Sequence, residues 1–86
     1  MVHGVSKVSK IYEKVLNGQS DANVSFEDLC YLLERLGFNC RQRGTSHRVY
    51  QKGVGFVNVQ PGSAGKAKPY QVAQAREVLK RLQIKP

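Results

Sequence analysis

The sequence predicts an α+β domain of order α-α-β-β-β-α, a three-stranded antiparallel meander with helices packed on one face. Three observations carry this reading. Apolar residues recur at helical spacing near both ends of the chain, around residues 6–16, 26–36 and 70–82. The middle, from Phe38 to Gln60, divides into short runs of strand-forming residues. Glycine-containing connectors as short as Gly44-Thr45 and Lys52-Gly53-Val54-Gly55 separate those runs, which implies antiparallel pairing.

The first helix is expected from about Ser6 to Leu16. Val5, Val8, Ile11, Tyr12 and Val15 form its apolar stripe, Lys7, Lys10 and Lys14 its polar face, and Gly18 its stop. A polar connector follows over residues 18–23. The second helix starts at Ser25, which with Asp28 three positions on resembles a capping box. Phe26, Leu29, Cys30, Leu33 and Leu36 are its buried stripe, and Gly37 ends it as a left-handed cap.

Strands are expected at Phe38 to Arg43, Ser46 to Gln51 and Phe56 to Gln60, with Pro61 breaking the ladder. Alternation leaves two options for the second strand. With Val49 inward, His47 lies at the core-side rim; with Tyr50 inward, His47 lies on the open face. Pro61 to Lys68 reads as a loop of Gly, Ser, Ala and Lys, either an ordinary connector or one whose amides and lysines meet phosphates. The last helix begins near Pro69, a residue suited to a first turn, and Val72, Ala75, Val78, Leu79 and Leu82 face the sheet. Residues 1–24 read as an N-terminal helix and linker, and 25–86 as the main domain of a single globular unit.

At 86 residues the chain is one domain. A domain of this size buries roughly 60% of its unfolded surface, which leaves no room for a deep cofactor cleft, and no cofactor is expected. Fourteen basic and six acidic residues give a net charge of +8. The acids are segregated: none lies between Arg35 and Arg76, a stretch that holds Arg41, Arg43, Arg48, Lys52, Lys66 and Lys68. Such a surface favours a polyanion, RNA first. No segment is apolar enough to span a membrane and no signal peptide is evident, so a cytoplasmic protein is expected. Cys30 and Cys40 have no ligand set around them; both are expected as buried thiols, with no metal site.

His47 is the candidate reactive group. It lies in the basic run Arg41-Gln42-Arg43-Gly44-Thr45-Ser46-His47-Arg48 and is the one histidine outside the N-terminus. An imidazole can take the proton of the RNA 2′-hydroxyl or protonate the leaving 5′-oxygen. Neighbouring cations, here Arg43 and Arg48, can stabilise charge building on phosphorus. Gly44 permits close approach of backbone to phosphate, and Ser46 offers a hydroxyl and an amide. The plain alternative is a solvent-facing strand histidine. Phosphate-loop and dinucleotide motifs are missing, as is a carboxylate pair for two-metal hydrolysis.

Phe26-Glu27-Asp28-Leu29 through Leu33-Glu34-Arg35-Leu36-Gly37-Phe38, then Arg41-Gln42-Arg43-Gly44-Thr45-Ser46-His47, resembles the HicA (YcfA-like) mRNA interferase toxins. Ala67-Lys68-Pro69-Tyr70-Gln71-Val72 resembles that family's entry into the last helix, so the likeness covers Phe26 to about Ile84. It implies a double-stranded-RNA-binding-domain-like fold, whose α-β-β-β-α order the last five elements match. It also implies an endoribonuclease that cleaves mRNA, the toxin of a type II toxin–antitoxin pair, restrained by a HicB-type antitoxin protein. Carried over by residue, His47 is catalytic, Gly44 the turn glycine and Ser46 the serine before the histidine; Arg43, Arg48, Lys66 and Lys68 are expected to hold RNA backbone. The chain departs from the family in three places. Thr45 is inserted in the turn, Arg48 replaces a second histidine, and Val59-Gln60-Pro61-Gly62-Ser63 lacks the histidine many members carry there. Two other readings stand beside the toxin: a non-catalytic RNA-binding module, and a basic domain that docks an acidic protein.

Overall fold

Ser6 has extended backbone and its hydroxyl accepts a hydrogen bond from the Ser9 amide, so the chain enters helix α1 (Lys7–Asn17) with one free amide satisfied. Gly18 ends the helix in the left-handed region, φ 73°. The same devices frame α2 (Phe26–Arg35). Ser25 Oγ accepts from the Asp28 amide at 3.0 Å, and Gly37, at φ 94°, turns the chain out of the helix. The computed structural model describes residues 6–43 and 47–86, with the backbone alone for Gln42 and Arg43. The expected Gly44-Thr45 turn and Ser46 lie outside the described residues.

Three strands follow: β1 (Asn39–Arg43), β2 (His47–Lys52) and β3 (Gly55–Val59). They form one antiparallel sheet in the order β1-β2-β3, as the short connectors predict. Pro69 occupies the first turn of α3 (Pro69–Arg81). The expected order α-α-β-β-β-α is thus present. Two single 3₁₀ turns, Asp21–Asn23 and Ser63–Gly65, occupy stretches expected to be plain connectors. Near the second, the Ala67 amide donates to the Val24 carbonyl at 2.9 Å, which ties the loop after the sheet to the entrance of α2.

One hydrophobic core joins all the layers. Ile11 and Val15 come from α1, Leu29, Leu32 and Leu33 from α2, Tyr50, Val57 and Val59 from the sheet, and Val72, Ala75, Val78 and Leu79 from α3. Each fully buried aliphatic side chain contributes about 1.5–3 kcal/mol relative to exposure. Helix α1 therefore belongs to the same core as the rest. Cys30 is buried as expected, but Cys40 is exposed. The expectation of a buried thiol fails there because Cys40, though paired with inward Tyr50, lies on the outer strand β1, beyond the cover of the helices.

Two contacts position α3. Gly55 lets the helix come close to β3: a Cβ there would stand 2.7 Å from both Val78 Cγ1 and Leu82 Cδ1. Arg76 ties α3 to the last turn of α1 and the connector after it. Its guanidinium donates to both Asp21 carboxylate oxygens at 2.9 and 3.1 Å, and to the Val15 carbonyl at 3.1 Å. This fork is the geometry in which a partly buried ion pair adds orientation as well as energy.

Two outcomes follow for stability, read as shifts in denaturation midpoint. Gly55→Ala should cost about 1–3 kcal/mol, because the buried, β-branched Val78 cannot swing away as Leu82 can. Arg76→Ala should cost about 1–3 kcal/mol, and Arg76→Lys should restore only part of it, since an ammonium cannot serve two carboxylate oxygens and a carbonyl in one plane.

Candidate nucleic-acid interface

Alternation along β2 decides which residues can meet a ligand. Tyr50 is fully buried beneath the helices. His47 and Val49 are of the opposite parity and stand on the face away from the helices. The register arranges that face in rows. Asn39, Gln51 and Phe56 form one; Arg41, Val49 and Asn58 the next; His47 stands opposite Arg43 in the third, with Gln60 just beyond the end of β3. The strands contribute no carboxylate, and the face is amide-rich, with Arg41 as its exposed cation among the described residues. Phe56 is 49% exposed on it, whereas Val49, between Arg41 and Asn58, is nearly buried without joining the main core.

At one end of this face a polar concavity of about 230 Å³ opens between β3 and α3. It is lined by His47, Asn58, Gln60, Tyr70, Gln71 and Gln74. Its wall is built by an edge-capping device. β3 is an edge strand, and one of its outward amides and the amide just beyond its end are taken by glutamines of α3. Asn58 N–H donates to Gln74 Oε1 at 3.1 Å, and Gln60 N–H to Gln71 Oε1 at 2.7 Å. Gln71 is the buried polar side chain of the described residues, 2% exposed. His47 is half-buried; its Nε2 is enclosed and has no hydrogen-bond partner among the described residues. An enclosed polar atom without a partner costs about 1–3 kcal/mol, a cost relieved when a donor or acceptor arrives.

The other expected site residues are distributed unevenly. Arg48 does not stand beside His47: it faces the helix side of β2. Its guanidinium lies 5.3 Å from the centre of the Phe26 ring and reaches the Tyr50 hydroxyl at 3.5 Å. Lys66 and Lys68 line a second concavity, of about 470 Å³, with Gly62, Ser63, Ala64 and Pro69, and Lys66 Nζ lies 3.4 Å from Asn23 Oδ1. Both concavities draw on the start of α3, Pro69 lining one and Tyr70 the other. The backbone of Arg43 pairs with His47; Gly44 and Ser46 lie outside the described residues. Sequence reasoning missed Asn58, Gln60, Tyr70, Gln71 and Gln74. One signal was present: Gln71, Ala75 and Val78 share a helix face at i, i+4, i+7, so a glutamine interrupts an otherwise apolar stripe.

Beneath the sheet a polar knot holds β2 against α2. The Tyr50 hydroxyl donates to Glu34 Oε2 at 2.7 Å. Burial, with hydrogen bonding to Cys30 and Glu34, pushes the Tyr50 phenol well above its ordinary value of 10.0. Burial likewise raises the Cys30 thiol above its ordinary 9.0, against the opposing influence of Tyr50 and Arg48. Among the described residues no three His, Cys, Asp or Glu side chains are grouped to hold a metal ion, and no helix is long and apolar enough to cross a membrane.

The raised values set an alkaline limit. Above pH 9.0 the unfolded chain releases protons that Cys30, and then Tyr50, still hold in the fold, so stability falls as pH rises. Denaturant titrations should give an unchanged contribution from these groups below that pH and a declining one above it. Cys30→Ala should flatten the decline, and an equally steep slope in that variant would show that other groups are responsible. No family model matches the chain, and neither do any of the curated proteins or solved structures compared with it.

Proposed function

We propose that this protein is an endoribonuclease of the HicA (YcfA-like) mRNA interferase type, with a double-stranded-RNA-binding-domain-like fold and no metal requirement. In this reading it is the toxin of a type II toxin–antitoxin pair, acts on mRNA in the cytoplasm, and is restrained by a HicB-type antitoxin. The observation that carries the proposal is the setting of His47. It stands on a carboxylate-free sheet face, in the wall of a polar concavity, with an enclosed ring nitrogen that lacks a partner among the described residues. The α+β architecture with its three-stranded antiparallel meander supports the fold assignment at the level of element order.

The chemistry needs only this chain and the RNA. His47 takes the proton of a 2′-hydroxyl, and the oxygen attacks the adjacent phosphorus. The bond to the 5′-oxygen breaks, and that oxygen leaves with a proton returned by the imidazolium. The products are a 2′,3′-cyclic phosphate and a free 5′-hydroxyl. One histidine serves both transfers in sequence, which suits a chain with a single body histidine. Exposed Arg41 supplies positive charge on the face of His47, and Lys66 and Lys68 supply it at the second concavity; Arg48, turned to the helices, steadies β2. The enclosure of Nε2 favours one second reading, a non-catalytic RNA-binding module in which His47 only contacts RNA.

Expression of the wild type should arrest growth and cleave RNA, and His47→Ala should lose cleavage by about 10²-fold or more while still folding. Undiminished cleavage by that variant would remove His47 from the reaction; RNA binding without cleavage by the wild type would select the second reading. Affinity for single-stranded RNA should fall with salt at a log–log slope of about −0.7 per phosphate neutralised, and a flat response would rule out backbone binding.

A further inference from the structure

The concavity beside His47 differs in character from the rest of the basic surface. None of its lining residues is a lysine, an arginine or an acid; it is built of four side-chain amides, a tyrosine and the histidine. Among the described residues its lining offers a phosphate no lysine or arginine. A neutral, planar, hydrogen-bonding group would meet a fitted set of partners. Its volume of about 230 Å³ suits one such group and excludes a duplex. Tyr70, 65% exposed at the start of α3, offers a flat aromatic wall.

The hydrogen bonds also assign the orientation of two of the amides. Of the two ends of a side-chain amide only the oxygen accepts a backbone N–H, so Asn58 N–H and Gln60 N–H fix the Oε1 atoms of Gln74 and Gln71 toward β3 and its end. What each glutamine has left to offer is its NH2 group, a donor. Bidentate recognition of adenine by glutamine needs both the carbonyl and the NH2 aimed at the base, and here the carbonyls are aimed at the strand.

From this geometry we propose that the concavity is a nucleobase pocket. It takes one unstacked base of single-stranded RNA, stacks it on Tyr70, and turns the NH2 groups of Gln71 and Gln74 to the position where guanine carries O6 and uracil O4, selecting them over adenine and cytosine, which carry an amino group there. The proposal rests on the reading that RNA is the ligand and specifies the strandedness and base preference at that site. It gives the exposed Tyr70 and the glutamines of α3 a common role. It also places the selected nucleotide against His47, so that base choice determines which phosphodiester is presented.

Gln74→Glu separates this role from a structural one. Gln74 is exposed, and a glutamate keeps an oxygen for the Asn58 amide while replacing the outward donor with an acceptor. The probe is a random pool of short single-stranded RNA offered to the full chain, with bound RNAs and cleaved ends sequenced separately. The wild type should enrich guanine or uracil at one position, and Gln74→Glu should shift that position toward adenine or cytosine by about tenfold. Tyr70→Ala should weaken binding at that position several-fold, and Tyr70→Phe should retain it. An unchanged base profile in Gln74→Glu, or a uniform loss over all four bases, overturns the pocket. His47→Ala in the same pool judges the catalytic reading by its cleaved ends, while the bound-base profile of the wild type judges the pocket. Bound RNA with no base preference would end the pocket alone.

Discussion

The orientation of Tyr50 is the constraint on which the arrangement of the sheet depends. Side chains of a strand alternate strictly, so one residue buried beyond doubt fixes the side of every other. Tyr50 is fully buried, its hydroxyl donates to Glu34 on α2, and Arg48 follows it inward over the Phe26 ring. A one-residue slip would expose the phenol ring and bury His47 under the helices. The large apolar area of the ring, together with a buried hydroxyl that needs its acceptor, makes that alternative costly. The face on which His47 stands is thus decided three positions away, by a residue buried under the helices.

The second organising element is the seam between α3 and β3. A bare strand edge must be covered, paired or charged. Here it is covered by a helix whose glutamines imitate a neighbouring strand, presenting carbonyl oxygens at the i and i+3 positions to alternate amides. Gly55 allows the approach on the apolar side, where Val78 and Leu82 crowd it. At the other side of α3, Arg76 reaches Asp21 and the end of α1. The helix is therefore held from three directions. The concavity inherits the rigidity of that docking, since Gln71 and Gln74 are both structural ligands of the strand and parts of its lining.

Much of the fold was legible in the sequence because its signals are local. Ser6, Ser25, Gly18, Gly37 and Pro69 act within a few residues of where they stand, and each sits at a helix boundary as expected. The exposure of Cys40 was not legible, because alternation reports the face of a strand and not how far the helices extend over it. The separation of Arg48 from His47 followed from alternation once the inward residue was known, but Val49 and Tyr50 were equal candidates for it. The concavity was the least legible part. Its residues come from β2, β3 and α3, and only the crossing of those elements assembles them; Gln71 in the apolar stripe of α3 was the sole local hint.

Covering one edge of a sheet leaves the other to be managed. β1 is the outer strand, and no described element pairs along its free side. Its sequence is Asn-Cys-Arg-Gln-Arg, with no β-branched residue. Two copies meeting there in antiparallel register would bring arginines close together, so the electrostatic cost opposes strand-by-strand polymerisation. The positive charge of the outer strand therefore keeps the molecules apart from one another at high concentration.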